Sequence, residues 1–230
     1  MNLTVVLLPG LDGTGVQFAP LLEMLGKETP THVVTYPSKN THYDDHVSQV
    51  LSELPKKGRY IVLAESYSGP VAIKVAAQHP VGLAGLILCA SFATCPNTLL
   101  RNFAFLLELA PPWKIPAEWV APFTLGEYKT PQSLALLKEA LSATPPNVLL
   151  ERLKEVARTD ASAEAHSIAV PTLYLRATHD RLVPESAVQD VANCIPGAII
   201  RDLEGPHFLL QASANAASRE IKAFASARAA

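Results

Sequence analysis

The sequence predicts an α/β fold, built on a mostly parallel six-stranded sheet flanked by helices, with one all-helical insertion. Three features carry that expectation. Short unbroken apolar runs recur, as suits strands buried on both faces. Helical patterns alternate with them, which is how parallel strands are joined. Between residues 93 and 165 the alternation stops and no strand-like run occurs.

The elements follow in order. Leu3–Leu8 is the first expected strand, and Val16–Leu25 the first helix. His32–Tyr36 is the second strand, closed by Pro37. Asp44–Leu54 is helical, with Val47, Val50, Leu51 and Leu54 on one face. Tyr60–Ala64 is the third strand, Pro70–Gln78 a helix stopped at His79-Pro80, and Leu83–Ala90 the fourth strand. Helices are expected over Thr98–Ala110, Pro131–Ser142 and Pro145–Arg158. Thr130 and Thr144 each precede a proline, as N-caps before a proline at the first helical position do. Val170–Ala177 and Ala198–Leu203 complete the sheet, and Ala214–Ala225 closes the chain behind a capping Ser213. The core domain is thus expected over residues 1–92 and 166–230. Residues 93–165 form a helical lid inserted between the fourth and fifth strands.

Composition narrows the function. The 230 residues are 49% apolar and 17% charged, with a formal net charge of −2, an ordinary globular balance. No basic surface for nucleic acid or membrane is implied, and no run is long enough to span a bilayer. Met1–Gly10 lacks the basic start of a secretory leader and is broken by Pro9-Gly10, so it is expected to be a strand. Cys89, Cys95 and Cys194 form no disulfide framework and suggest reduced thiols in a cytoplasm.

Tyr60-Ile-Val-Leu-Ala-Glu-Ser66-Tyr-Ser68-Gly69-Pro70 reads as a strand that ends on a serine and turns at once into a helix. Such a corner exposes the serine hydroxyl and aims the first helical amides at whatever binds there. Asp180 follows the fifth strand and His207 follows the sixth, so both are expected at the carboxyl edge with Ser66. Serine, acid and histidine in that order fit a nucleophile, a group that orients the base, and the base itself. Backbone N–H groups of Leu11, after Pro9-Gly10, and of Tyr67 are the expected oxyanion donors. Ala64 and Ser68 stand where the elbow pattern has glycines, but both are small. Ser68 is a weaker rival nucleophile, and His179 a weaker rival base. The glycines at 10, 13 and 15 do not follow the dinucleotide spacing, and the second strand ends without an acid for a ribose. His42 and His46, four apart, could face one ion but more simply open a polar helix. No cofactor or metal is expected.

These motifs resemble those of the α/β-hydrolase superfamily, particularly its small carboxylesterase branch. The residues that carry the resemblance are Pro9-Gly10-Leu11, Ala64-Glu-Ser66-Tyr-Ser68-Gly69, Asp180-Arg-Leu-Val-Pro184 and Gly205-Pro-His207-Phe. The resemblance implies a trimmed sheet lacking two N-terminal antiparallel strands. It also implies hydrolysis of a small-molecule ester through an acyl-enzyme. Lid residues Phe103, Phe105, Leu106, Leu109, Trp113, Trp119 and Phe123 supply core, and some of them are expected to line an apolar acyl pocket. The lid cations, Arg101, Lys114, Lys129, Lys138, Arg152, Lys154 and Arg158, are interspersed with acids, so a strongly anionic substrate is not indicated. The motifs leave open a lyase or acyltransferase on the same fold, or a ligand-sensing binding protein. They do not address oligomeric state.

Overall fold

In the computed structural model, the described residues are 3–97, 101–102, 107, 109, 112 and 114–228. Six strands form one sheet: β1 (Thr4–Leu8), β2 (Thr31–Val33), β3 (Tyr60–Glu65), β4 (Leu83–Cys89), β5 (Thr172–His179) and β6 (Ile199–Pro206), in the order β2-β1-β3-β4-β5-β6. Every neighbouring pair is parallel. The register sets Val6 beside Val62, Val62 beside Leu86 and Leu88 beside Tyr174.

Because side chains alternate across a strand, each central strand feeds two cores. Val6, Leu8, Val62, Ala64, Leu86 and Leu88 face one of them. It is covered by α2 (Tyr43–Glu53), α3 (Gly69–Ala76) and α8 (Glu185–Cys194). Val5, Leu7, Ile61, Leu63, Ile87 and Leu175 face the other, covered by α1 (Ala19–Leu25) and α10 (Ala214–Ser226). A run that must be apolar on both sides cannot alternate with polar residues, which is why these strands read as continuous apolar segments.

Between β4 and β5 lie α4 (Ala117–Thr124), α5 (Pro131–Ala143), α6 (Pro146–Arg158) and α7 (Ser162–His166). The helix expected over Thr98–Ala110 falls mostly outside the described residues. A four-residue helix, α9 (Leu209–Ala212), follows β6. Among the described residues, no helix is long and apolar enough to cross a membrane.

Several local expectations shift. The first helix splits into a 3₁₀ turn, Val16–Phe18, and α1, with Pro20 in its first turn. β2 stops at Val33, because the Tyr36 N–H leaves the sheet for the Gly13 carbonyl at 2.7 Å. Thr130 caps α5 as expected, accepting from the Ser133 N–H while Ser133 Oγ accepts from the Thr130 N–H. Thr144 does not cap α6. The helix starts one residue later, and the Thr144 hydroxyl instead donates to the carbonyls of Asp12 and Ala140, each at 3.0 Å. Ser213 precedes α10 without a side-chain cap, and its hydroxyl donates to the Glu204 carbonyl at 2.6 Å.

Gly69 opens α3 against the end of β4. A Cβ there would lie 1.8 Å from Ser91 Oγ and 2.9 Å from the Phe92 carbonyl oxygen. Alanine normally gains about 1 kcal/mol over glycine inside a helix. Here overpacking outweighs that gain, so Gly69→Ala is expected to lower stability by about 2 kcal/mol in urea unfolding. An unchanged or raised midpoint would contradict this packing.

Candidate active site

β3 ends at Glu65, and Ser66 takes a left-handed backbone, φ +48°, before a 3₁₀ turn leads into α3. That conformation is unfavourable for a residue with a Cβ and persists only where the surroundings enforce it. Two bonds to the Ser66 carbonyl do so. It accepts from the Gly69 N–H, closing the 3₁₀ turn, and from the Ser91 hydroxyl at 2.5 Å. Ser91 is held in turn by the Tyr174 hydroxyl, which donates to its carbonyl at 2.6 Å.

Ser66 Oγ lies 2.8 Å from His207 Nε2. His207 Nδ1 lies 3.0 and 2.9 Å from the two carboxylate oxygens of Asp180. A carboxylate can only accept, so in the neutral ring Nδ1 carries the proton and Nε2 is free to accept from the serine. The Asp180 carboxylate is fixed by the N–H groups of Leu182 and Val183, at 2.8 and 2.9 Å. Both partners are shielded, with the His207 side chain 2% exposed and that of Asp180 6%. The structure therefore brings Ser66, Asp180 and His207 together. Leu11 and Tyr67 line the same cavity as Ser66 and His207.

The rivals lie elsewhere. Ser68 is fully buried and donates to the Pro9 carbonyl, so the Tyr36 hydroxyl must be the donor in their 2.7 Å contact. Serine at this elbow position thus ties the start of α3 to the loop after β1, where a glycine would not. His179 packs against Tyr128. His42 pairs with Glu155 at 3.1 Å, whereas His46 turns inward and stacks on Tyr36 with ring centroids 3.9 Å apart. Burial first, then Arg152 and His42, push the His46 imidazole down to about 3. Among the described residues, no three His, Cys, Asp or Glu side chains cluster to hold a metal.

The cavity has a volume of about 260 Å³. Among the described residues, Val120, Leu137, Leu141, Leu149, Leu153 and Val156 line it from the segment between β4 and β5, and Trp119 and Phe123 do not. Trp119 and Phe123 are 70% and 54% exposed, because α4 turns Ala117 and Ala121 inward instead. Leu109 is also exposed, and Phe103, Phe105, Leu106 and Trp113 lie outside the described residues.

Arg152, one of the cations counted between residues 93 and 165, is fully buried. Nη1 donates to the carbonyls of Leu11 and Asp12 at 2.9 and 2.7 Å. Nη2 donates to those of Tyr36, Pro37 and Asn40 at 3.2, 3.4 and 3.5 Å. Gly13, at φ +73°, passes so close that a Cβ would meet Nη1 at 2.4 Å. The signal was in the helix period: Val148, Arg152 and Val156 fall four apart on one buried face. Glu65 ends β3 immediately before Ser66. It is 3% exposed, lines the cavity, and accepts from Gln211 Nε2 at 3.0 Å. Burial pushes its carboxyl up to about 7, against the opposing effects of Gln211 and His207.

The sequence profile of the family described as serine aminopeptidase, S33, matches residues 26–201. The chain belongs to this family of α/β hydrolases. It is an enzyme of the hydrolase class, and its curated relatives fit that assignment. Pimeloyl-[acyl-carrier protein] methyl ester esterase of Xanthomonas axonopodis pv. citri (strain 306) is 29% identical over 213 residues, covering 84% of this chain and 83% of the relative. A protein of Yersinia enterocolitica with the provisional name carbamate hydrolase RutD is 27% identical over 220 residues, covering 84% of this chain and 76% of the relative. Among solved structures, the enol-lactonase from Burkholderia xenovorans LB400 shares the fold with a TM-score of 0.84 at 19% identity, covering 98% of this chain and 92% of the other. A thermophilic esterase from Thermogutta terrifontis gives a TM-score of 0.82 at 18% identity, covering 100% and 92%.

Two stability measurements test these environments. The folded state holds the Glu65 proton up to about pH 7, whereas the unfolded chain releases it near the ordinary value of 4.5. The wild type therefore loses stability as pH rises through that window. Glu65→Gln should remove a slope worth about 3 kcal/mol between pH 5 and pH 8, and parallel pH profiles for the two proteins would contradict this. Arg152→Met should cost at least ~3 kcal/mol in urea unfolding, because it strands buried carbonyls. A loss below ~1 kcal/mol would show that those bonds matter little.

Proposed function

We propose that this hydrolase is a serine carboxylesterase acting on small or medium apolar acyl groups. The observation that carries the reading is the Ser66–His207–Asp180 relay at the wall of a largely apolar cavity. Ser66 Oγ attacks the ester carbonyl as His207 Nε2 takes its proton. Asp180 keeps the ring in the tautomer that can do so and stabilises the imidazolium that forms. The N–H groups of Leu11 and Tyr67 receive the oxyanion. His207 then protonates the departing alkoxide, and the acyl group remains on Ser66. A water molecule, deprotonated by the same imidazole, attacks the acyl-enzyme, and Ser66 regains its proton as the acid leaves. Residues 93–165 act as a lid over a core formed by residues 1–92 and 166–230. The lid excludes bulk water and supplies most of the apolar lining.

The methyl ester esterase named among the relatives supports an ester over an amide as substrate. The apolar lining of the cavity supports an apolar acyl group.

The test is the hydrolysis of p-nitrophenyl esters of increasing acyl length, run beside a panel of native esters. Ser66→Ala is expected to fold normally and to retain less than ~1% of the activity. Asp180→Asn should lower kcat by roughly 10⁴-fold, because it presents the wrong tautomer to the serine. Substantial turnover by Ser66→Ala, or a near-normal rate in Asp180→Asn, would overturn the respective role.

A further inference from the structure

One wall of the cavity is polar. Glu65 and Gln17 both line it, although they are only 3% and 5% exposed. Gln211, 8% exposed, contacts both of them. Its Nε2 donates to Glu65 Oε1 at 3.0 Å and to the Gln17 carbonyl at 3.2 Å. The cluster does not complete itself. Gln17 Oε1 and Gln211 Oε1 are buried with no hydrogen-bond partner. Each such orphan carries the desolvation penalty of an unpaired buried acceptor, which an apolar residue of similar shape would avoid. Three buried polar side chains, two with an unpaired acceptor, therefore make physical sense only if something else supplies donors. Gln17 and Glu65 line the cavity beside Ser66, with Gln211 packed behind them, so the cavity is where a donor for Gln17 would come from.

We propose that this wall is a subsite for a hydroxyl group, and that the preferred substrates are uncharged esters bearing a hydroxyl on an otherwise apolar chain. The proposal rests on the esterase reading above, since the same cavity would hold the reacting ester.

A hydroxyl fits the wall better than a charged group for two reasons. It donates one hydrogen bond and accepts others. With Glu65 protonated it can donate to an orphan amide oxygen and accept from the carboxyl. With Glu65 ionised its one hydrogen goes to the carboxylate while it accepts from an amide N–H. Glu65 titrates near neutrality because of its burial. An ammonium would need it always ionised, and a carboxylate would need it always protonated. Turning the Gln17 amide over exchanges oxygen for nitrogen at the orphan position, and a hydroxyl can meet either.

The experiment uses matched ester pairs that differ by one hydroxyl. Methyl n-alkanoates of two to six carbons are compared with their hydroxyalkanoate counterparts, and alkyl butyrates with hydroxyalkyl butyrates. Turnover is followed by pH-stat in the wild type. Binding of the intact esters is followed by calorimetry in Ser66→Ala, where no reaction intervenes. At one chain position the hydroxyl should raise kcat/KM and binding affinity at least roughly tenfold, the scale of one net hydrogen bond. Glu65→Met, tested in both backgrounds, should reduce that ratio to about threefold or less. Gln17→Leu serves as a second variant should Glu65→Met fail to fold.

Equal or weaker binding and turnover of the hydroxylated ester at every position would overturn the proposal. So would a hydroxyl preference that survives both substitutions. The two readings fail separately. Wild-type turnover without hydroxyl preference removes only the subsite. Hydroxyl-selective binding to Ser66→Ala without wild-type turnover removes only the esterase.

Discussion

The carbonyl of Ser66, held by the Ser91 hydroxyl and the Gly69 amide, is the contact on which the site depends. A strand feeding directly into a helix must turn within one or two residues, and here Ser66 absorbs the turn at φ +48°. Backbone in that region costs of the order of 1–3 kcal/mol for a residue with a Cβ. The bond from Ser91 stabilises it from β4, the next strand in the sheet. The absence of a Cβ at Gly69 lets the two chain segments approach closely enough for that bond. The sheet register thereby fixes where the serine hydroxyl stands, and β5 and β6 deliver Asp180 and His207 to the same edge.

A second constraint joins α5 and α6 to the loop after β1. Arg152 reaches from α6 to the carbonyls of Leu11 and Asp12, while Thr144 adds a bond to Asp12 from the end of α5. The proposed oxyanion loop is thus held on one side by Arg152 and Thr144 and on the other by Ser68, through the Pro9 carbonyl. A buried guanidinium is expensive to desolvate, and multiple carbonyl acceptors are what make it tolerable. Such a charge rigidifies the loop, and oxyanion donors act best when they need not reorganise. Displacements of α6 large enough to break these bonds would also loosen the loop beside Ser66.

The central strands were readable because burial on both faces leaves unbroken apolar runs, and Ser66 and Asp180 each follow closely on one. His207 instead follows the edge strand β6, which carries Arg201, Asp202 and Glu204, and its place was legible from the strand order and the Gly205-Pro206 pair before it. Signals that depend on competition between partners were harder to read. Thr130 and Thr144 look alike in sequence, yet only Thr130 caps a helix, because the Thr144 hydroxyl finds the Asp12 carbonyl instead. Trp119 and Phe123 suggested a pocket lining, but small Ala117 and Ala121 occupy the packed face of α4 and turn the aromatics outward. Arg152 looks like one more surface cation until its place in the 148–152–156 helical row is noticed. Glu65 offers no local signal beyond ending an apolar strand. Its environment is set by Gln17 and Gln211, residues far away in the chain.

The central claim is that the hydroxyl at this strand-to-helix corner forms the covalent bond to the acyl group. Acid-quenching the enzyme during turnover of a p-nitrophenyl ester, followed by peptide mass mapping with fragmentation, tests it most directly. The account predicts one acyl mass on the Tyr60–Lys74 tryptic peptide, localised to Ser66. An acyl group on Ser68 or on a distant residue, or sustained turnover with no acylated peptide, would contradict it.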